Sequence, residues 1–515
     1  MTETKKSWWI RFEAWLVKTV FIAPWYIIVF FFRLIYRFRI ENPEKLPREA
    51  PFILTLKEPS IVAIFSTGNV AIKVLLPQIS KHPSVPTVAY MMDRLFENQY
   101  INYINAILER YGWDVKLRGL IPHSAGMMAL DLLEGLRALN KGGVAMLNPE
   151  GASRWDGLPI TIGQSLAWLG LHSAAPIYPA LCTIGAFDIW PSWRKRPYLN
   201  GDLSIKVGEP FKLTEEPIDQ ITNADLQAAN ERIYEIYEKI AYGDEGVKGW
   251  AGPVRKNGEV VDENIELKRP QTLIPQDQWT FNYKKDESIQ RGIGLLLWRC
   301  PVCKSNDSIV HRDSWFGKGE VNCQACGTKW EVKRIFSHDF RLAVIDGDPE
   351  LLGLDMPLSL WYEKMKEGFS PEPIAIKDEE LREGELFYME NDRFQLLVNT
   401  PSYLFDGWEE KEAPASKPRG GSKYGVWEDF GRGKILLSDQ RLIWRNQGRE
   451  LYFNWSTVTA VHHLPGPFSL GINYGSARYQ FPLGNEAGLK WLTYIGSIIK
   501  KAADLDGHKC TFSPY

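Results

Sequence analysis

Residues 148–157 read Asn-Pro-Glu-Gly-Ala-Ser-Arg-Trp-Asp-Gly and follow directly on the apolar run Gly-Val-Ala-Met-Leu at 143–147. A short apolar run that ends at a turn is typical of a buried strand. Proline and glycine favour the turn, and glycine, which has no Cβ, lets backbone N–H groups approach a ligand closely. The stretch therefore predicts a strand that leads into an anion-binding turn.

An α/β layer domain is predicted around this stretch, over residues 45–245, because short apolar runs alternate with helical periods there. Residues 52–56 (Phe-Ile-Leu-Thr-Leu) predict a second buried strand, and residues 129–139 carry helical spacing. A long amphipathic helix is expected to begin at Asn223 and to close the domain.

The order and spacing of several blocks in this domain resemble those of glycerophospholipid (lysophosphatidate-type) acyltransferases. Residues 148–157 are similar to that family's phosphate-holding block, and Gly112 through Arg118 to its Gly-to-Arg block. Residues 175–179 and 206–210 resemble its later strands. The resemblance implies a phosphate-bearing acyl acceptor and, as co-substrate, acyl-CoA or an acyl-carrier thioester. It assigns acceptor binding to Arg118, Glu150, Gly151 and Arg154.

The chemistry of these residues agrees with that assignment, because planar guanidinium groups and backbone N–H groups donate hydrogen bonds to a phosphate dianion. The alternative is that Pro149 and Gly151 only build a tight turn and that both arginines are solvated.

The catalytic histidine of the family has no counterpart in this chain. In the family a His-x4-Asp pair follows the first strand, and the histidine takes the proton of the acceptor hydroxyl. Here Lys57 stands at the histidine position and Val62 at the aspartate position, and no histidine precedes His82. Lys57 can act as a base only where burial lowers its pKa by several units; the other interpretation is that it binds an anionic head group.

The N-terminal residues 1–44 predict a segment at a membrane interface. Between Met1 and Ile40 there are seven basic and two acidic residues, with several tryptophans, around an apolar core at 19–32. That core is shorter than the ~20 residues that cross a bilayer, and Pro24 interrupts it. Aromatic rings and basic residues favour the head-group region of anionic lipid, so membrane lipid is an expected partner. A buried core helix is the alternative.

The second motif is a pair of Cys-x-x-Cys units separated by 19 residues. This spacing is typical of a zinc ribbon, which we expect over 295–340, and four thiolates indicate a closed structural zinc site. A redox-active pair is the alternative. Strand character is expected at residues 309–311 and 329–332. The predicted ligands are Cys300, Cys303, Cys323 and Cys326.

The C-terminal region, 381–505, alternates in the manner of an antiparallel sheet and ends in a helical pattern at 486–499. Residues 433–444 resemble the strand–turn–strand of GRAM and pleckstrin-homology-like domains, which implies a small β-barrel with a C-terminal helix. Such domains bind lipid head groups or proteins, and a pure assembly surface is the alternative. Residues 246–294 read as a linker and 341–380 as a connector.

The predicted fold class is thus multidomain, α/β plus β. The composition in turn restricts the classes of partner and the compartment. The 515 residues carry a formal net charge of −2, so no nucleic acid is expected as a partner. Six cysteines are too few for a disulfide scaffold and favour a reducing compartment, which places the protein on the cytoplasmic face of a membrane. Three functions stay open: a membrane-associated acyltransferase, a catalytically silent lipid-binding relative, and a scaffold recruited through ribbon and barrel.

Overall fold

The structure is a computed structural model. It describes residues 23–57, 64–81, 85–92, 105–106, 108–110, 112–120, 125–149, 164–182, 189, 191, 193–194, 197–263, 292–314, 319–335, 338–376, 382–400, 426–463, 469–474, 477–482, 487–506 and 511–512.

In the described residues, the first part of the chain, called here the α/β unit, contains a seven-stranded sheet and the α-helices that cover it. The helices are α1 (Ala23–Ile35), α2 (Ile64–Lys81), α3 (Ala125–Asn140), α4 (Gln164–Ser173) and α5 (Asn223–Tyr242). The strands are β1 (Ile40–Glu41), β2 (Phe52–Lys57), β3 (Thr87–Met92), β4 (Val115–Leu120), β5 (Val144–Leu147), β6 (Ile177–Cys182) and β7 (Ile205–Val207).

Five neighbouring strands of this sheet are parallel, and the strand order is β1-β7-β6-β2-β5-β3-β4. Their carboxyl ends therefore meet at one edge, called here the carboxyl edge. Strands β2 and β5 occupy the positions that the two apolar runs predict. The α/β layer architecture is confirmed.

Both faces of the sheet are covered by helices. On one face Ile53 and Ala145 belong to a core shared with α3, α4 and α5, whereas on the other Phe52 and Leu54 share a core with α2. The strands are buried on both faces, which explains their continuous apolar runs. The closing helix α5 begins at Asn223 as predicted, because the Thr222 side chain accepts a hydrogen bond from the N–H of Asp225.

Helix α1 presents an apolar face to solvent. Among its described side chains, five apolar ones are exposed: Ile27 56%, Phe30 58%, Phe31 57%, Leu34 67% and Ile35 47%. The chain then enters β1 at the carboxyl edge, because Ile40 pairs with Ile205, which pairs with Cys182 at the end of β6. In the part of the chain that the structure describes, every helix is too short or too polar to span a membrane.

The middle part of the chain, called here the ribbon sheet, has seven antiparallel strands in the order β10-β11-β12-β13-β14-β8-β9. Its helices are α6 (Gly246–Ala251), α7 (Ile293–Leu296) and α8 (Leu358–Lys366). Its strands are β8 (Val254–Lys256), β9 (Glu259–Asp262), β10 (Ile309–Arg312), β11 (Gly319–Cys323), β12 (Lys329–Lys333), β13 (Arg341–Asp346) and β14 (Leu354–Pro357). Strands β10 and β12 match the two predicted ribbon strands.

Segments that the composition suggests to be a linker and a connector contribute strands to this sheet. The hairpin β8–β9 pairs with β14 through Arg255 and Asp355, and β13 and β14 extend the ribbon beyond β12. The ribbon strands are thus the edge of a larger sheet.

The C-terminal part has eight strands in the order β18-β17-β16-β15-β21-β20-β19-β22 and forms a half-barrel. The strands are β15 (Phe387–Thr400), β16 (Val426–Ser438), β17 (Arg441–Asn446), β18 (Arg449–Asn454), β19 (Val458–His463), β20 (Ser469–Tyr474), β21 (Ala477–Pro482) and β22 (Thr511–Phe512), and the last helix is α9 (Gly488–Asp506). The sequence predicts a small barrel followed by a helix. Among the described strands β18 pairs with β17 alone, so this sheet keeps an open edge there.

Candidate functional site

The four cysteines of the predicted ribbon converge on one point. Their sulfur atoms all lie within 4.8 Å of one another. The Sγ atoms of Cys300 and Cys326 are 3.9 Å apart, and those of Cys303 and Cys323 are 3.7 Å apart. These separations exceed the ~2.05 Å of a disulfide, so the sulfurs are arranged as free thiols.

Two similar turns bring the sulfurs together, and we call them knuckle 1 (residues 300–304) and knuckle 2 (residues 323–327). In knuckle 1 the N–H of Lys304 donates to the carbonyl of Cys300 at 2.9 Å, and in knuckle 2 the N–H of Gly327 donates to that of Cys323 at 3.0 Å. Both turns end in a left-handed residue, with φ of 62° at Lys304 and 77° at Gly327. Glycine adopts this conformation without steric cost, which explains Gly327.

The surroundings act differently on the thiols: they favour the thiolate at Cys323, whereas burial raises the pKa of the Cys303 thiol. The hydroxyl of Ser308 lies 3.3 Å from the Cys323 sulfur, and that of Thr328 lies 3.2 Å from the Cys326 sulfur. Burial raises the pKa of the Cys323 thiol, but hydrogen bonds, chiefly from Ser308, outweigh burial and lower this pKa to about 6. Burial raises the pKa of Cys300, so its proton must be displaced by a bound cation.

This arrangement fits a metal ion such as zinc. A tetrahedral ion with metal–sulfur bonds of ~2.3 Å separates its sulfur ligands by roughly 3.8 Å, close to the two distances observed. Two of the sulfurs belong to buried residues and two to exposed ones. Four protein ligands would complete a tetrahedral shell, an arrangement typical of structural rather than catalytic sites.

The second candidate site is the carboxyl edge of the parallel sheet. Lys57 is the last residue of β2, and β5, the neighbouring strand, ends at Leu147. Because Thr55 pairs with Leu147, the chain leaves β5 for residues 148–149 at the level where β2 approaches its end. Of the predicted acceptor-binding residues, Glu150, Gly151 and Arg154 lie outside the described residues.

Arg118 belongs to β4, at the far side of the same edge. It pairs with Tyr90 on β3, and β3 separates β4 from β5. Neighbouring strands are ~4.8 Å apart, so the backbone of Arg118 lies roughly 10 Å from β5 and roughly 14 Å from β2. The fold thus brings the backbone of Lys57 next to residue 148 and holds the backbone of Arg118 two strands away from β5.

Beneath this edge lies a buried polar contact that the sequence alone does not reveal. The Tyr237 hydroxyl on α5 donates to Oγ1 of Thr55, and this Oγ1 donates to the carbonyl of Tyr178 at 3.5 Å. Both side chains are buried. A signal was present, since Thr55 is the one polar residue in the apolar run 52–56. The contact fixes the end of β2, two residues before Lys57.

Solved structures align with part of the chain. One of them is a crystal structure described as the 1-acyl-sn-glycerophosphate (LPA) acyltransferase PlsC from Thermotoga maritima, and it matches at 17% sequence identity over 40% of this chain and 72% of its own. The TM-score is 0.26, too low to support an argument about fold or activity. No protein-family model and no curated protein matches the chain.

Proposed function

We propose that this chain is a membrane-associated protein of the glycerophospholipid acyltransferase type, which binds a phosphate-bearing acyl acceptor at the carboxyl edge. One observation carries the proposal: adjacent parallel strands β2 and β5 end at Lys57 and at the 148–157 stretch. In open α/β sheets, ligands bind outside the carboxyl ends of the strands. Arg118, Glu150, Gly151 and Arg154 are the residues proposed to hold the phosphate.

In the catalytic form of this proposal the second substrate is an acyl-CoA or an acyl-carrier thioester. The acceptor hydroxyl oxygen bonds to the acyl carbonyl carbon, the carbon–sulfur bond breaks, the thiolate leaves and a base takes the hydroxyl proton. Lys57, at the family's histidine position, is the candidate base. Loss of a general base lowers the rate by about 10²–10⁴. Because a lysine stands in place of the family's histidine, the alternative is a catalytically silent lipid-binding protein that is recruited through its ribbon and half-barrel.

Helix α1 supports membrane association. Its exposed apolar side chains recur at positions i, i+3, i+4, i+7 and i+8 from Ile27, as on one face of an amphipathic helix. Arg33 lies on another side of α1, and Arg37 and Arg39 follow the helix. All three are exposed, so they can attract anionic lipid. Since β1 begins at the carboxyl edge, α1 approaches the sheet from the side of the proposed lipid site. We assign the protein to the cytoplasmic face, where thiols stay reduced.

We further assign a structural zinc ion to the four cysteines. We propose that the half-barrel, which has seven antiparallel strands and a helix after them, acts as a GRAM- or pleckstrin-homology-like domain and binds a protein or a lipid head group. Lipid is therefore the main proposed partner, and a protein partner is proposed at the ribbon or half-barrel.

The acceptor site is tested with the purified full-length chain, lysophosphatidate and an acyl-CoA. Release of coenzyme A and binding of lysophosphatidate are measured for the wild type and for Arg154→Ala. Lys141→Ala is the matched control, because Lys141 is an exposed cation in the turn that leads to the opposite end of β5. We expect Arg154→Ala to weaken lipid binding at least tenfold and Lys141→Ala to leave it unchanged.

The outcomes separate the three functions. Turnover in the wild type that disappears in Lys57→Ala, with lipid binding retained, supports catalysis with Lys57 as base. Lipid binding without turnover supports the silent relative. Absence of both, or equal effects of Arg154→Ala and Lys141→Ala, overturns the lipid site and leaves the scaffold.

Membrane association is tested by sedimentation with vesicles of phosphatidylcholine, with and without phosphatidylserine. Leu34→Glu removes the most exposed apolar residue of α1, and Leu133→Glu on α3 is the control, since Leu133 is 36% exposed. We expect the α1 variant to lose most vesicle binding and the control to keep it. Equal binding of the two variants would contradict the role of α1.

A further inference from the structure

The ribbon sheet contacts the α/β unit through a group of residues called here the α/β joint. The Trp193 ring, fully buried, lies edge-on to Phe340 with centroids 5.0 Å apart. Arg194 Nε is 2.9 Å from Asp313 Oδ2, and the Arg194 side chain is 4% exposed. Such a buried, paired guanidinium requires its partner, so the two units are held in one relative position here.

Stacked cations complete the α/β joint. The guanidinium of Arg194 lies 3.3 Å from the centroid of the Tyr198 ring, and that of Arg334 lies 4.3 Å from the same centroid. Arg334 also donates to Oδ1 of Asn200 at 2.7 Å. Tyr198 and Asn200 belong to the α/β unit, whereas Arg334 follows β12 of the ribbon sheet.

The ribbon sheet contacts the half-barrel through a second group, the barrel joint. Lys490 Nζ on α9 is 2.7 Å from Asp307 Oδ2, and Asn306 Nδ2 donates to the Tyr494 hydroxyl at 3.4 Å. The Tyr494 ring also lies 5.9 Å, centroid to centroid, from that of Trp298. Knuckle 1 is thus flanked by residues that contact α9.

Both joints are connected to the cysteine cluster through short segments of the chain. Strand β10 connects Ser308, whose hydroxyl touches the Cys323 sulfur, with Asp313 of the α/β joint. Strand β12 connects Thr328, whose hydroxyl touches the Cys326 sulfur, with Arg334 of the same joint.

The barrel joint is even closer to the cysteines. Asn306 and Asp307 follow Cys303 within four residues, and the N–H of Asp307 donates to the carbonyl of Trp298 at 2.7 Å. The position of each joint therefore depends on how the two knuckles are held against each other.

We propose that the metal at the four cysteines is an internal fastener: by joining the two knuckles it aligns the α/β joint with the barrel joint and so sets the half-barrel relative to the α/β unit. The inference rests on the zinc assignment but not on the lipid site. The proposal gives the ribbon an intramolecular role, because the ribbon contacts the α/β unit at one joint and the half-barrel at the other.

The first test uses the full-length protein and hydrogen exchange, with metal content measured by elemental analysis. Zinc is removed with a chelator and then restored. Without zinc we expect exchange at least tenfold faster at residues 193–200 and 488–499, unchanged exchange in β2, β5 and β6, and recovery when zinc returns.

Three results would overturn the proposal in distinguishable ways. A protein that holds no metal refutes the zinc assignment and the fastener together. Bound zinc whose removal leaves both joints protected refutes the fastener alone. Faster exchange throughout the α/β sheet also refutes it, because the metal would then stabilise the whole chain rather than the two joints.

The second test uses variants that keep all four cysteines. Because coupling between two sites is reciprocal, loosening either joint must weaken zinc binding. We expect Arg194→Ala and Lys490→Ala each to lower zinc affinity about fivefold or more. Lys239→Ala is the control, since Lys239 forms an exposed ion pair with Asp244 outside both joints. Zinc affinities equal to that of the control in both joint variants would overturn the proposal.

Discussion

Glu385 and Arg441 form a bidentate ion pair inside the half-barrel: Arg441 Nε lies 2.9 Å from Glu385 Oε1, and Arg441 Nη2 lies 3.0 Å from Glu385 Oε2. The Glu385 side chain is fully buried, and the Ser438 hydroxyl donates to Oε1 at 2.6 Å. Burial opposes ionisation of Glu385, but the hydrogen bonds from Arg441 and Ser438 outweigh it and hold its pKa below the usual value. The pair ties the segment before β15 to the turn between β16 and β17.

Glu385→Ala should destabilise the half-barrel by about 3–5 kcal/mol, because it leaves the Arg441 cation buried without its partner. Hydrogen exchange in β16 and β17 measures this local free energy of unfolding. Glu383→Ala, two residues away and exposed, is the control and should stay within about 0.5 kcal/mol of the wild type. Similar losses in both variants would show that the ion pair stabilises little.

Tyr237 and Thr55 should behave as a coupled pair. Thr55→Val removes the Thr55 acceptor from the buried Tyr237 hydroxyl and should cost about 1–3 kcal/mol, whereas Tyr237→Phe should cost about 1 kcal/mol. The double variant should lose less than the sum, since both partners are then replaced by apolar groups of similar shape. Denaturant unfolding of all four proteins gives the coupling. Strictly additive losses would contradict the contact.

His311 should make stability depend on pH. Burial lowers the pKa of His311, Asp313 opposes this effect and Arg194 adds to it, and together they bring the pKa to about 4. The neutral ring accepts a hydrogen bond at Nδ1 from the Ile293 N–H at 3.3 Å. Since the unfolded chain takes up this proton near pH 6.5, the contribution to stability is complete above that pH and is lost as pH falls towards 4, by up to about 3 kcal/mol.

The measurement for His311 is the free energy of unfolding at pH 7 and at pH 4.5, for the wild type and for His311→Gln. Metal release at low pH affects both proteins, so the difference between them isolates the histidine. The decrease should be smaller in His311→Gln. Equal decreases would contradict a buried, neutral His311.

Two glycines of the half-barrel should differ in how they tolerate alanine. A Cβ on Gly433 would lie 2.1 Å from the carbonyl oxygen of Arg445 on the paired strand, so Gly433→Ala must push β16 and β17 apart and should cost about 1–3 kcal/mol. Gly448 has φ of +88° but no atom within 4 Å of such a Cβ, so Gly448→Ala meets backbone strain alone, about 1 kcal/mol. Melting temperatures compare the two; a larger loss at Gly448 would contradict the close strand approach.

Much of the local structure was predictable. The apolar runs before Lys57 and before Asn148 became β2 and β5, and the helix expected at Asn223 begins there. Cysteine spacing alone identified the four residues that converge. The hairpin β8–β9 was missed, although Asn257-Gly258 at its turn, with φ of 52° and 91°, is a strong hairpin signal, because its strands carry exposed charges instead of an apolar alternation.

By itself, the sequence determined most of the elements and the four cysteines that converge, because periodicity, turn residues and cysteine spacing act between near neighbours in the chain. Only the tertiary structure decided which distant residues meet: Thr55 with Tyr237, Arg194 with Asp313, and Asp307 with Lys490. These pairs lie more than a hundred residues apart, and a single polar residue in an apolar or mixed segment carries no mark of its partner. Their contact depends on the packing of whole sheets and helices, in which burial of apolar surface sets the geometry and polar groups are then paired.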